Sequence, residues 1–226
     1  MKVQGIKDDI EGIIFDMDGL LVNSEYLYWQ ANIQAAKEDG LAIPEDSYLK
    51  LVGASVSAME KFYHQYFKSK SQRDDFIKRT DDLVEKWTDE GKLKLRPGVQ
   101  DALNKFKQAN VKLAIASSNY ERVIEHNLQV TKTRSYFEFH LSYDDVKRQH
   151  VKAKPAPDIY LLAQEKISIP KNNILVFEDS STGVAAAKSA GLKCVMIPDL
   201  KPATELDKKN ATMILKNFFE FLKIIS

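Results

Sequence analysis

Cysteine is nearly absent: Cys194 is the single one in 226 residues, so no disulfide framework can form. Its place in the apolar run Cys194-Val195-Met196-Ile197 reads as a buried, reduced thiol rather than a ligand or nucleophile. An excess of charge of one sign is also missing. Lys and Arg total 33 against 32 Asp and Glu, so no net field draws the chain to nucleic acid or to an anionic membrane, and a small partner is expected. No stretch reaches the ~20 apolar residues of a membrane span, and Met1 to Asp9 hold no apolar signal segment, which reads as a cytoplasmic protein. Glycines never fall at the spacing of G-x-G-x-x-G or of a P-loop, which excludes those nucleotide cradles. His64, His126, His140 and His150 lie in separate segments, without G-x-S-x-G or H-E-x-x-H, and read as surface or packing residues.

What is present begins with Phe15-Asp16-Met17-Asp18-Gly19. Gly12 to Phe15 is short, β-branched and aromatic, as expected of a strand buried on both faces of a parallel sheet. Asp16 and Asp18 fall where that strand stops. Residues i and i+2 share a face, so both acids can point into one crevice at the carboxyl edge of the sheet, where ligands of open α/β sheets bind.

The 44% hydrophobic content over this length supports a domain of ordinary size plus a smaller one. From Ser24, read as an N-cap, a helix is expected through Asp39, with Gly40 as its stop. Pro44-Glu45-Asp46 opens another. Met59, Phe62, Tyr63, Tyr66 and Phe67, then Phe76, Thr80, Leu83, Val84 and Trp87, recur at helical spacing. With no convincing strand from Ser24 to Lys92, residues 24–92 are expected to be an all-α cap. It is inserted into a core of residues 1–23 and 93–226, through a two-strand hinge of Gly19 to Asn23 and Lys92 to Gly98. Beyond Val99, strand and helix alternate, with strands expected at Lys112 to Ala116, Phe137 to Leu141, Ile174 to Phe177, Lys193 to Ile197 and Met213 to Leu215. The fold expected is α/β, a doubly wound parallel sheet with right-handed crossovers. Lys201 to Lys209 reads as a solvated loop.

Chemistry-bearing residues gather at the later strand ends. Ser117, Ser118 and Asn119 close the second strand at an expected helix start, where a hydroxyl and free N–H groups can seat a phosphate. Pro155 biases Lys154 to an extended conformation, and Pro155 and Pro157 fix the start of the next helix, which aims the lysine. Glu178 and Asp179 terminate an apolar strand. Asp16, Asp18, Glu178 and Asp179 cannot all stay ionised in one partly desolvated crevice without cations. Lys154 and Mg²⁺ would offset them, and Mg²⁺ retains waters and phosphate oxygens beside one or two carboxylates, so the site expects a phosphate.

Set in order, Asp16-Met17-Asp18-Gly19, Ser117, Lys154 and Glu178-Asp179 resemble the signature of the haloacid dehalogenase-like superfamily of phosphohydrolases. The helical insertion is similar to the small cap of its β-phosphoglucomutase-like branch. That resemblance implies a Rossmann-like core with the first strand central, Mg²⁺ as cofactor and a small phosphorylated metabolite as partner. It implies Asp16 as nucleophile through an aspartyl phosphate, and Asp18 as general acid and then base. Ser117, with Ser118 and Asn119, would bind phosphate, and Lys154 would stabilise the transferring group. Asp16, the Asp18 carbonyl and Asp179 would hold the metal, with Glu178 behind them. Two positions depart from the mutase: Tyr28 stands where it has a histidine and Val56 where it has an arginine, and a valine cannot pair with a second phosphate. Met196-Ile197-Pro198-Asp199 is similar to phosphatases of this branch, including the pseudouridine-phosphate type. The expectation is therefore a monomeric Mg²⁺-dependent phosphatase of a sugar or nucleotide-type phosphomonoester. The alternatives are a phosphomutase using Arg73 or Arg79, and a non-catalytic phosphoacceptor.

Overall fold

The computed structural model describes residues 1–54 and 56–226, with the side chains of Val56 and Ser57 outside the described set. Strand β1, Gly12–Phe15, is buried at every position, as a strand covered on both faces must be. The chain then runs through helix α1 (Ser24–Glu38), a 3₁₀ turn (Glu45–Lys50), α2 (Val56–Tyr66), α3 (Lys70–Asp89) and α4 (Val99–Gln108). It continues through β2 (Lys112–Ala116), α5 (Glu121–Val130), β3 (Phe139–Leu141), α6 (Tyr143–Arg148) and α7 (Asp158–Ile167). Last come β4 (Ile174–Glu178), α8 (Ser181–Ser189), β5 (Lys193–Met196), α9 (Glu205–Asn210), β6 (Met213–Ile214) and α10 (Phe218–Leu222).

All six strands are parallel in the order β3-β2-β1-β4-β5-β6. The core is thus a Rossmann-like α/β sheet with β1 inside it. The winding reverses between β1 and β4, and at such a switch point the loops diverge to leave a crevice beyond the strand ends. Register places Phe15 beside Phe177, so Asp16 and Glu178 leave the sheet side by side. Phe15 stacks on Phe177 at 5.4 Å between ring centroids, and Phe106, Phe218 and Phe221 from α4 and α10 close over that face. The opposite face buries Ile14, Ala114, Val176 and Cys194 against α7 and α8. Each fully buried phenylalanine contributes roughly 1.5–3 kcal/mol of transfer free energy, so this aromatic layer fixes where the strand ends sit.

Among the described residues, the segment between α1 and α3 holds no strand. Its helices bury a separate cluster of Ile33, Ala36, Tyr48, Phe62 and Phe76. Two chain passes join it to the sheet. Val22 bridges Leu95 antiparallel, with Asn23 N–H donating to Lys94 O at 3.1 Å and Arg96 N–H to Leu21 O at 2.9 Å. The Arg96 guanidinium donates to Gly19 O, to Ile197 O at 3.1 Å and to Pro198 O at 3.0 Å, tying these passes to the loop after β5.

Three local expectations are corrected. Ser24 is the first residue of α1 rather than its cap, because its hydroxyl is spent on Asp18. The helix after β2 begins at Glu121, three residues later than Ser118. Ser180 caps α8, accepting from Gly183 N–H. The segment from Lys201 to Lys209 is not simply a solvated loop. A capping box of Thr204 and Asp207 starts α9, and Asp207 is buried where it also accepts from the Ser181 hydroxyl at 2.7 Å.

Candidate active site

Asp16 is held at the mouth of the switch-point crevice by its own backbone, whose N–H donates to Phe177 O at 3.0 Å. Lys154, on the loop before α7, reaches under the strand ends. Its Nζ donates to Asp16 Oδ1 at 2.6 Å, Glu178 Oε1 at 2.7 Å and Ala116 O at 2.9 Å, so one ammonium ties together the ends of β1, β2 and β4. A buried ammonium satisfied by three acceptors is a fixed part of the site.

Glu178 corrects the picture of four acids facing one crevice. It is fully buried and turned inward. The Tyr160 hydroxyl donates to its Oε1 at 2.5 Å, and Ser180 donates to Oε2 from its hydroxyl at 3.1 Å and from its N–H at 3.4 Å. The Tyr160 ring also lies 4.8 Å from Lys154 Nζ. Glu178 therefore anchors the lysine, while Asp16 and Asp179 face the cavity. Tyr160 escaped the sequence reading because it occupies an ordinary apolar position of α7.

Gly183 makes the anchor possible. A Cβ there would lie 1.8 Å from the Glu178 carboxyl group, so only glycine lets the first turn of α8 pass over that side chain. Gly183→Ala is expected to destabilise the fold by about 2–3 kcal/mol through overpacking and to lower turnover by displacing Glu178. Thermal melts and phosphate release check this together, and wild-type values for both would show that α8 moves aside freely.

Asp18 sits apart from the acidic cluster. Its carboxylate accepts from the Ser24 hydroxyl at 2.8 Å, the Ser117 hydroxyl at 3.3 Å and the Asn119 amide at 3.3 and 3.4 Å. Ser117 is fully buried and its oxygen also accepts from Asn119 N–H at 3.0 Å. Ser118 and Asn119 line the cavity, whereas Ser117 faces Asp18 from behind. Ser24, unremarkable in the sequence except as a helix start, is thus a direct partner of Asp18.

The electrostatics follow from burial. Desolvation pushes the Asp16 carboxyl up to about 7, opposed by Lys154 and reinforced by Glu178 and Asp18. Desolvation, then Asp16 and Glu178, hold Asp179 well above the usual carboxylate range. Burial disfavours the Lys154 charge, but Asp16 and Glu178 outweigh it and raise its pKa above that of a free lysine. Asp16, Glu178 and Asp179 each present an oxygen within 4.8 Å of the others. Such an all-oxygen donor set, with more negative charge than one lysine balances, fits a hard divalent cation.

These residues open into a cavity of about 370 Å³ that runs from Asp16, Asp18 and Asp179 into the helical insert, where α1, α2 and α3 form its far wall. A parallel α/β sheet carrying an acid pair, a buried lysine and further acids at its switch point defines a hydrolase-type centre. The haloacid dehalogenase-like hydrolase family matches residues 13–197, and the chain belongs to that family. It is 32% identical over 209 residues to a phosphorylated carbohydrates phosphatase of Thermotoga maritima, covering 92% of this chain and 94% of that one. It is 28% identical to a probable pseudouridine-5'-phosphatase of Drosophila melanogaster, over 92% and 90% of the two chains. Among solved structures, CbbY of Rhodobacter sphaeroides in complex with xylulose-1,5-bisphosphate superposes with a TM-score of 0.76 at 26% identity, covering 93% of this chain and 96% of that one.

Proposed function

We propose that this haloacid dehalogenase-like enzyme is a Mg²⁺-dependent phosphatase that hydrolyses a small phosphorylated carbohydrate through an aspartyl phosphate on Asp16. The observation that carries this reading is the pairing of two unlike carboxylates. Asp16 is fixed by Lys154 through one oxygen, which leaves the other directed to the cavity, while Asp18 is oriented by Ser24, Ser117 and Asn119. An Asp16 oxygen bonds to phosphorus as the ester P–O bond breaks, and Asp18 gives its proton to the departing alcohol oxygen. Asp18 then takes a proton from water. The water oxygen attacks phosphorus, the bond to Asp16 breaks and inorganic phosphate leaves.

Lys154 holds Asp16 in place and offsets charge on the transferring group, and the Ser118 and Asn119 loop faces the phosphate end of the cavity. Asp16, Asp179 and the Asp18 carbonyl would hold Mg²⁺, which when bound supplies positive charge to the phosphoryl oxygens and neutralises the acids. The helical insert, residues 24–92, acts as a cap that excludes water. It touches the core where Gly53 O accepts from the Thr182 hydroxyl at 3.1 Å and Val52 O from Lys201 at 2.5 Å.

The mutase alternative is not favoured. Tyr28 sets a phenol beside Asp81 instead of offering an imidazole, and the departure at Val56 lies outside the described side chains. Arg73 pairs with Asp74 at 2.8 Å, and Arg79 with Asp39 at 3.0 Å, both away from the cavity.

Incubation with hexose monophosphates and Mg²⁺, followed by phosphorus NMR, is expected to show inorganic phosphate; an isomerised ester in its place would reinstate the mutase. In a single turnover, Asp18→Asn is expected to slow release of the alcohol from alkyl phosphates by about 10²–10⁴-fold, and release of p-nitrophenol much less, since that leaving group needs no proton. Equal losses on both esters would refute the acid role.

A further inference from the structure

The cavity wall supplied by the helical insert has a consistent chemistry. At its far end stand Tyr28 and Asn32 from α1 and Thr80 and Asp81 from α3, whereas Glu25 packs with Asp179 against Gly19 at the catalytic end. Among the described residues lining the cavity, Lys154 is the one cation, and it is committed to Asp16 and Glu178 at the opposite end. Two further cations stand outside the lining. Lys201 is bound to Val52 O, and the exposed Arg122 lies 3.7 Å from Glu85.

The polar groups at this end are also mutually organised. The Tyr28 hydroxyl and the Asp81 carboxyl are electrostatic neighbours where α1 meets α3. The Asn32 amide donates to Tyr28 O at 2.8 Å and its oxygen accepts from the Thr80 hydroxyl at 3.4 Å. Asp81, near the Arg122 charge, offers acceptor oxygens rather than an isolated counter-ion. Between these groups Trp29 and Tyr63 present aromatic surface, which suits the C–H faces of a ring carrying hydroxyls.

Building on the phosphatase reading, we propose that this subsite selects an uncharged, polyhydroxylated leaving group, and that the enzyme discriminates against esters bearing a second anion. A second phosphate or a carboxylate in the far end would be desolvated beside Asp81 with no cation in the cavity lining there to pair with, whereas sugar hydroxyls donate to the carboxylate and amide oxygens found there. The selection is by repulsion as much as by contact.

The test is a comparison of kcat/KM with Mg²⁺ for glucose 6-phosphate, 6-phosphogluconate, fructose 1,6-bisphosphate and phosphocholine, with p-nitrophenyl phosphate as a general phosphatase probe. The neutral sugar ester is expected to exceed both 6-phosphogluconate and fructose 1,6-bisphosphate by at least about 100-fold. Asp81→Lys is expected to narrow that gap at least about tenfold, mainly through KM for the bisphosphate. If p-nitrophenyl phosphate and every ester stay intact, the phosphatase reading falls and this inference with it. If esters are hydrolysed but the sugar acid or bisphosphate matches glucose 6-phosphate, the inference alone is overturned. The same holds if phosphocholine is preferred, which would make the subsite a cation receptor. The wild-type comparison decides the matter even if Asp81→Lys fails to fold.

Discussion

Asp16→Asn is expected to reduce phosphate release by at least about 10⁴-fold while leaving the fold intact. The two halves of this expectation come from different parts of the geometry. Loss of turnover follows because an amide oxygen is a poor nucleophile toward phosphorus, and no other cavity carboxylate is held as Asp16 is, with one oxygen locked by Lys154. Retention of fold follows because Asp16 is already pushed up to about 7 by burial, so a neutral isostere relieves an unfavourable charge. Lys154 keeps Glu178 at 2.7 Å and Ala116 O at 2.9 Å as partners. Circular dichroism melts together with single-turnover assays check both halves. An active Asp16→Asn enzyme would remove the nucleophile assignment and the aspartyl phosphate with it.

Lys154→Ala is expected to cost about 3–5 kcal/mol of stability as well as activity. Its ammonium is the one protein cation within the buried cluster of Asp16, Glu178 and Asp179 among the described residues, and without it their charges are uncompensated. The pH dependence has a definite sign. Asp16 keeps its proton up to about 7 in the folded chain but loses it near 3.8 when unfolded. Metal-free stability should therefore be fullest below 3.8 as far as this group is concerned and fall as pH climbs through about 7. The variant should lose more than the wild type at the upper end of that window, and Mg²⁺ should return part of the loss by binding the folded state. Denaturant titrations at pH 5 and pH 8, with and without Mg²⁺, measure this directly. A variant within about 1 kcal/mol of the wild type at pH 8 would mean that Lys154 is not the counter-ion of the cluster. Lys154→Met combined with Glu178→Gln should recover part of the stability, because it removes the orphaned charge along with its partner.

Legible in the residues alone were the parallel sheet, its strand positions to within a residue or two, and the gathering of Asp16, Asp18, Lys154 and Asp179 at one cavity. Buried parallel strands are written as short apolar runs, and in such a sheet polar residues at the strand ends have one edge to face. Tertiary structure alone decided which of those groups meet. The pairing of Phe15 with Phe177 is made across more than 160 residues of chain, and it sets Glu178 against Lys154 and Tyr160 rather than in the cavity. Likewise Ser24 reads locally as a cap and Asp207 as one acid in a lysine-rich loop, yet one completes the shell of Asp18 and the other is buried against α8. Capping and charge patterns report only what a residue offers its near neighbours along the chain. Gly183 is the sharpest instance, because its requirement comes from a carboxylate delivered by a different element and no local pattern records it. The same limit applies to Tyr28 and Asp81, which come from two helices and become neighbours only when α1 and α3 pack together.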